Sequence, residues 1–290
     1  MLVLLGYEAF IGGNRWELHY SGISSWLRSC RDCSRIDPFL LSWVCMVHTQ
    51  SAIHLGTAFA AGDGSCLGSS LFRRNEQVID LIYGCSVSLP ELMLSAARLH
   101  SLSTTHACTF DELHRRSQEL QRRVRRTKID LDSDVFLSMT ADSKSKLTTS
   151  RDGESLRNAK AAAEISRHAL HIYIARITCK TTTASAETRE SVDAIFELLP
   201  MVSNPVGPGS MLGWCLVVVG SETDALEWRD YIRTRCASLE LLRLNAGGPS
   251  IKVLEEVWRR RDQINSGDTG ELSWQWQDAM RALGIRGALF

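Results

Sequence analysis

Apolar residues recur along this chain at helical spacing. Leu92, Ala96, Leu99 and Leu102 step by four, three and three behind Ser88-Leu89-Pro90-Glu91. That tetrad sets a hydroxyl and a carboxylate three residues apart, with proline in the first turn, where its missing N–H costs nothing. Thr109-Phe110-Asp111-Glu112 repeats the device ahead of Leu113, Leu120 and Val124. Further stripes are Ile165, Ala169, Ile172, Tyr173 and Ile177, then Val192, Ile195, Phe196 and Leu199, where Pro200 stops the helix. Leu226, Trp228, Ile232, Cys236, Leu239 and Leu242 continue the pattern. Ile251, Leu254, Val257 and Trp258 complete it, with Arg259, Arg260 and Arg261 in the last turn, where cations suit the helix dipole.

The exception is Leu216-Val217-Val218-Val219-Gly220, a β-prone run. No second run of that kind exists to pair with it, so the sequence predicts helix there against local propensity. The stretch from Phe39 to Gly62 lacks acid, lysine and arginine but holds Ser42, His48, Thr49, Gln50, Ser51 and His54. That is too polar for a lipid-facing span and predicts a buried helix. The fold class is therefore all-α: a multi-helix bundle of antiparallel helical hairpins around one extended core, forming a single domain over 1–290. A polar stretch from Asp130 to Gly153 predicts a disordered loop, and Ser203-Asn204-Pro205-Val206-Gly207-Pro208-Gly209 a rigid turn cluster.

Composition narrows the class of function. Hydrophobic residues make up 44% of the 290, enough for a packed core. The 33 lysines and arginines match the 33 acids, which excludes a polycationic nucleic-acid coat. Nine cysteines, at 30, 33, 45, 66, 85, 108, 179, 215 and 236, sit mostly in apolar surroundings. With no basic region before the apolar start, they read as thiols in a reducing compartment.

Candidate chemistry is sparse. Cys30-Arg31-Asp32-Cys33 is a C-x-x-C, but zinc needs four ligands, and Cys45 and His48 complete the set only by improvisation. The plainer reading is two helical cysteines, one turned inward. Glu164, His168 and His171 share one helical face, yet a carboxylate-bridged metal needs a matching set on a second helix, which leaves a solvated face. Gly207-Pro208-Gly209-Ser210-Met211-Leu212-Gly213 lacks the lysine of a phosphate loop and reads as a turn before a helix. Ser65 has Asp63 where a nucleophile elbow needs glycine. Between Asp111 and Lys128, seven basic residues (Arg115, Arg116, Arg122, Arg123, Arg125, Arg126 and Lys128) face three acids. No base-reading motif accompanies them, so this is a solvated or partner-facing helix side. The reading assigns no catalytic, cofactor-binding, metal or DNA-binding residue.

The last eighty residues carry a pattern. Trp214-Cys215-Leu216-Val217-Val218-Val219-Gly220-Ser221-Glu222, a helix with Trp228, Arg229 and Ile232, then Val253-Leu254-Glu255-Glu256-Val257-Trp258-Arg259-Arg260-Arg261-Asp262, and finally Trp276-Gln277-Asp278-Ala279-Met280 follow in order. Together they resemble the C-terminal end of the fungal-specific transcription factor domain, the regulatory half of many zinc-binuclear-cluster activators. Ser221 and Thr223 stand where that pattern usually has cysteine and alanine. Trp16 to Gly22, Ile79 to Cys85 with Leu89 and Leu92, and Ala169 to Arg176 are similar to earlier segments of the same family.

The resemblance implies an all-helical regulator in the nucleus, not an enzyme, with no cofactor and no membrane association. It implies control of a metabolic or secondary-metabolite pathway. The implied partners are the transcriptional machinery or related regulators, with a homo- or heterodimer compatible. The family's six-cysteine zinc cluster is missing from these residues, so DNA is expected only indirectly or through a cluster lying upstream of an N-terminally incomplete domain. Two other readings stand beside it. One is a helical enzyme or metabolite-binding protein; the other is an orphan regulatory domain that acts by associating with full-length regulators.

Overall fold

The computed structural model describes residues 8, 16–29, 38–55, 88–129, 149–179, 184–202, 209, 212–241, 247–265 and 275–285. The apolar stripes that fall within them lie on helices. Ten α-helices are present among the described residues, and no strand: α1 (Trp16–Ser29), α2 (Pro38–Leu55), α3 (Ser88–Thr104), α4 (Phe110–Arg126), α5 (Thr149–Thr178), α6 (Ala186–Leu198), α7 (Gly213–Gly220), α8 (Leu226–Leu241), α9 (Gly247–Asn265) and α10 (Trp276–Ala282). A 3-10 turn, Leu199–Met201, follows α6 and carries Pro200 in its first turn, as expected of a residue that cannot continue the α-helical ladder.

The helix ends follow from local chemistry. Thr109 Oγ1 accepts the Glu112 N–H at 3.3 Å to open α4, and Ser185 Oγ accepts the Thr188 N–H at 3.2 Å to open α6. The α3 helix stops where His106 takes φ +52° and the Ala107 N–H reaches back to the Leu102 carbonyl at 3.1 Å. The same closure ends α10, with Gly284 at φ +64° and the Ile285 N–H on the Met280 carbonyl at 2.9 Å.

The 30-residue α5 is the spine, packed against α3, α4, α6 and α7. Ala161, Ala162, Ala163, Ile165, Ala169, Leu170, Ile172, Tyr173 and Ile174 are all buried, and the small alanines let neighbouring helices approach closely. Beside it, α7 is buried along its whole length, from Gly213 to Gly220. Valine costs at most about 0.7 kcal/mol of helix propensity, whereas burying one contributes about 1.5–3 kcal/mol. Tertiary burial therefore overrides the β-prone sequence, and the expected helix is what forms. Helices α8 and α9 pack on each other, and α10 on α9. A Cβ on Gly247 would lie 2.3 Å from the Cys236 carbonyl oxygen, so α9 starts on the backbone of α8.

Helix α5 already covers Thr149 to Gly153, the end of the stretch expected to be a loop; 130–148 lie outside the described residues. No described helix is long and apolar enough to cross a membrane.

Candidate functional site

The face of α5 that carries Glu164, His168 and His171 is solvated only in part: Glu164 and His168 are half-buried, and α6 packs over His171. His171 is buried, with Nδ1 3.2 Å from Ser191 Oγ of α6 and Nε2 3.9 Å from the Glu187 carboxylate. Glu164 accepts from Arg167 Nε at 2.7 Å, and the other end of that guanidinium lies 3.2 Å from His168 Nε2. Burial, then Arg167, pushes His168 down to about 4. The three side chains thus turn to separate neighbours, and no group of three or more metal-capable side chains forms among the described residues. Cys30, Cys33 and Ser65 lie outside the described residues, as does most of the 207–213 loop. His48 is buried on α2 and hydrogen-bonds the Tyr20 hydroxyl of α1.

The basic run forms the outer side of α4. Its inner side, Leu113, Ser117, Leu120 and Val124, is buried, and Ser117 Oγ donates to the Ile174 carbonyl of α5 at 3.3 Å. On the outer side Glu112 takes both Arg115 and Arg116 at 2.6–2.9 Å, and their hydrogen bonds hold its carboxyl down to about 2. Arg122 pairs with Glu119 and Arg125 with Glu187 of α6, each at 2.9 Å. Arg123 and Arg126 meet no carboxylate among the described residues. Much of the charge is therefore neutralised by the protein itself.

The motif residues of the C-terminal third meet at one corner of α7, α8 and α9. The buried Trp258 indole N–H donates to the Gly220 carbonyl at 2.7 Å, which occupies one of the orphan acceptors at the end of α7. Arg261 donates to the next carbonyl, Ser221, at 3.1 Å and grips Asp224 at 2.8 Å through two nitrogens. The buried Arg229 holds Asp262 bidentately at 2.9 Å and lies 5.4 Å from the Trp258 ring centroid. Arg233 stands over the same ring at 4.8 Å and pairs with Glu255 at 2.6 Å. Just past the end of α7, Glu222 takes the forked guanidinium of Arg176 from α5. The Gly220–Glu222 step and the Glu255–Asp262 helix are one locked unit, built for packing rather than for chemistry.

Sequence reasoning missed two buried polar groups. Arg235, inside the α8 stripe, donates to the carbonyls of Leu199 and Val202 at 3.0 and 3.2 Å and closes the end of the 3-10 turn. Its only signal was an arginine between Ile232 and Cys236 on one side and Leu239 on the other. The second group gathers where α2, α3, α5 and α10 meet. His100 Nδ1 is 2.8 Å from the Tyr173 hydroxyl, and Trp276 lies against both Tyr173 and His54, with ring centroids 6.4 and 5.8 Å apart. The buried ring nitrogens of His54 meet no hydrogen-bond partner among the described residues.

No curated protein and no solved structure matches the chain. The fungal specific transcription factor domain does match, over residues 1–290. By that match the chain belongs to the fungal specific transcription factor domain family.

Proposed function

We propose that this chain is the regulatory domain of a nuclear transcriptional regulator that controls the genes of one metabolic or secondary-metabolite pathway. The observation that carries the reading is the family match along all 290 residues. The family is one of transcriptional regulators, which sets it apart from the helical-enzyme alternative. The internal pairing of the α4 arginines and the packing role of the motif corner support an output through protein contacts, with the transcriptional machinery or with related regulators, as a homo- or heterodimer. An orphan domain that associates with full-length relatives would use the same contacts.

Deleting the gene and profiling transcripts tests the proposal. A restricted set of co-ordinately altered genes belonging to one pathway is expected. Accumulation of a single metabolite with unchanged transcripts would instead point to an enzyme.

A further inference from the structure

Helices α3 and α4 leave an open cleft of about 270 Å³ between them. Its floor is Leu99, Leu102 and Leu120, and its walls carry Arg98 from α3 and Arg115, Arg116 and Arg123 from α4, against one acid, Glu119. We propose that this cleft docks a short acidic segment of a partner polypeptide, in which carboxylates are interspersed with bulky apolar side chains. The inference goes beyond the regulatory reading and stands without it.

Three features select that occupant. The first is charge. Arg98 and Arg123 are exposed, line the cleft from α3 and from α4, and meet no carboxylate among the described residues. Glu119 is already engaged by Arg122, and Glu112 is shared by Arg115 and Arg116. The rim is therefore positive on both sides. Ion pairs as exposed as Arg115–Glu112 exchange partners at little cost.

The second feature is the floor. Leucines between guanidinium groups reward an apolar side chain and contribute nothing to a phosphate backbone, so the cleft fits an amphipathic peptide better than DNA. The third is extent. The lining runs from Ser95 to Leu102 on one helix and from Arg115 to Arg123 on the other, two turns each, or about 11 Å of groove at 1.5 Å per residue. Four cations spread over that length call for several anions along a chain. The cavity is also below the range of about 300–1,000 Å³ that engulfs a drug-sized molecule.

The test is fluorescence anisotropy of the full chain with a dye-labelled twelve-residue peptide of alternating Asp/Glu and Leu/Phe. Its partner probe has Asn and Gln in place of the acids. Saturable binding is expected for the acidic peptide and at least tenfold weaker binding for the amide version. Arg98→Ala/Arg123→Ala should weaken the acidic peptide at least tenfold, with helical circular dichroism and melting unchanged because both residues are exposed. Arg125→Ala/Arg126→Ala, on the same helix but outside the cleft, should bind as the parent does. Equal binding of the two peptides, or equal loss in the two double variants, would overturn the proposal. Displacement of the peptide by dodecanoate or by a scrambled DNA duplex at lower concentration than unlabelled peptide would also overturn it, in favour of a small-anion or phosphate site.

Discussion

Trp258 gathers a hydrogen bond to Gly220, two guanidinium faces and near-complete burial on one side chain. Trp258→Ala should therefore cost about 3–5 kcal/mol in chemical denaturation, the range for deleting a buried aromatic ring. A neutral result would mean that the corner does not hold α7 to α9. Titratable residues of the core add a pH dependence. Burial lowers His48 and His100 to about 4 and His54 to about 3, from 6.5. Each takes up a proton more readily in the unfolded chain, so stability is complete above pH 6.5. It then falls with pH through the window from 6.5 to about 4, by up to about 1.4 kcal/mol per pH unit for each group. Melting temperature should drop between pH 7 and pH 5. His54→Leu, which removes two ring nitrogens that meet no partner among the described residues, should reduce the drop, and a parent melting curve flat over that interval would contradict it. The burial of the helix that carries His48 and His54 was legible in its lack of charge, but the partners of His100 and Arg235 were not, because a distant helix and the 3-10 turn supply them.

At the scale of elements, most of the fold could be read because the 3.6-residue stripes are long and the cap at Thr109 is local. The Leu216–Val219 run needed a tertiary argument, the lack of any strand to pair with, and the buried α7 supports it. The face of Glu164, His168 and His171 was misjudged because periodicity gives the polar side of a helix but not whether a neighbour covers it. Contacts between elements also separate two glycines that the sequence does not distinguish. Gly247→Ala would drive a Cβ into the Cys236 carbonyl of α8, which forces backbone movement at a cost of about 1–3 kcal/mol. Gly284→Ala meets open space and pays only for its left-handed φ, about 1 kcal/mol. Paired thermal melts should rank Gly247→Ala as the more damaging, and the reverse order would place the α8–α9 contact elsewhere.

The whole molecule is electrically neutral, and its densest basic helix is part-neutralised by Glu112, Glu119 and Glu187. Contact with DNA through α4 alone should be sequence-blind, steeply salt-dependent and no tighter than about 10⁻⁴–10⁻⁶ M at physiological salt. In a gel-shift titration at about 0.15 M salt, where the Debye length is about 8 Å, the 290 residues should not distinguish a promoter fragment from scrambled DNA. Specific submicromolar retention would reveal a reading element that the described residues do not display. The central claim is that this domain regulates transcription through protein contacts. Fusing the chain to an unrelated DNA-binding module and measuring a reporter placed beside that module's site tests it most directly. Reporter output should differ from that of the module alone and shift back when Trp258→Ala unlocks the corner. Output identical to the module alone, from a fusion shown to be folded and nuclear, would contradict it.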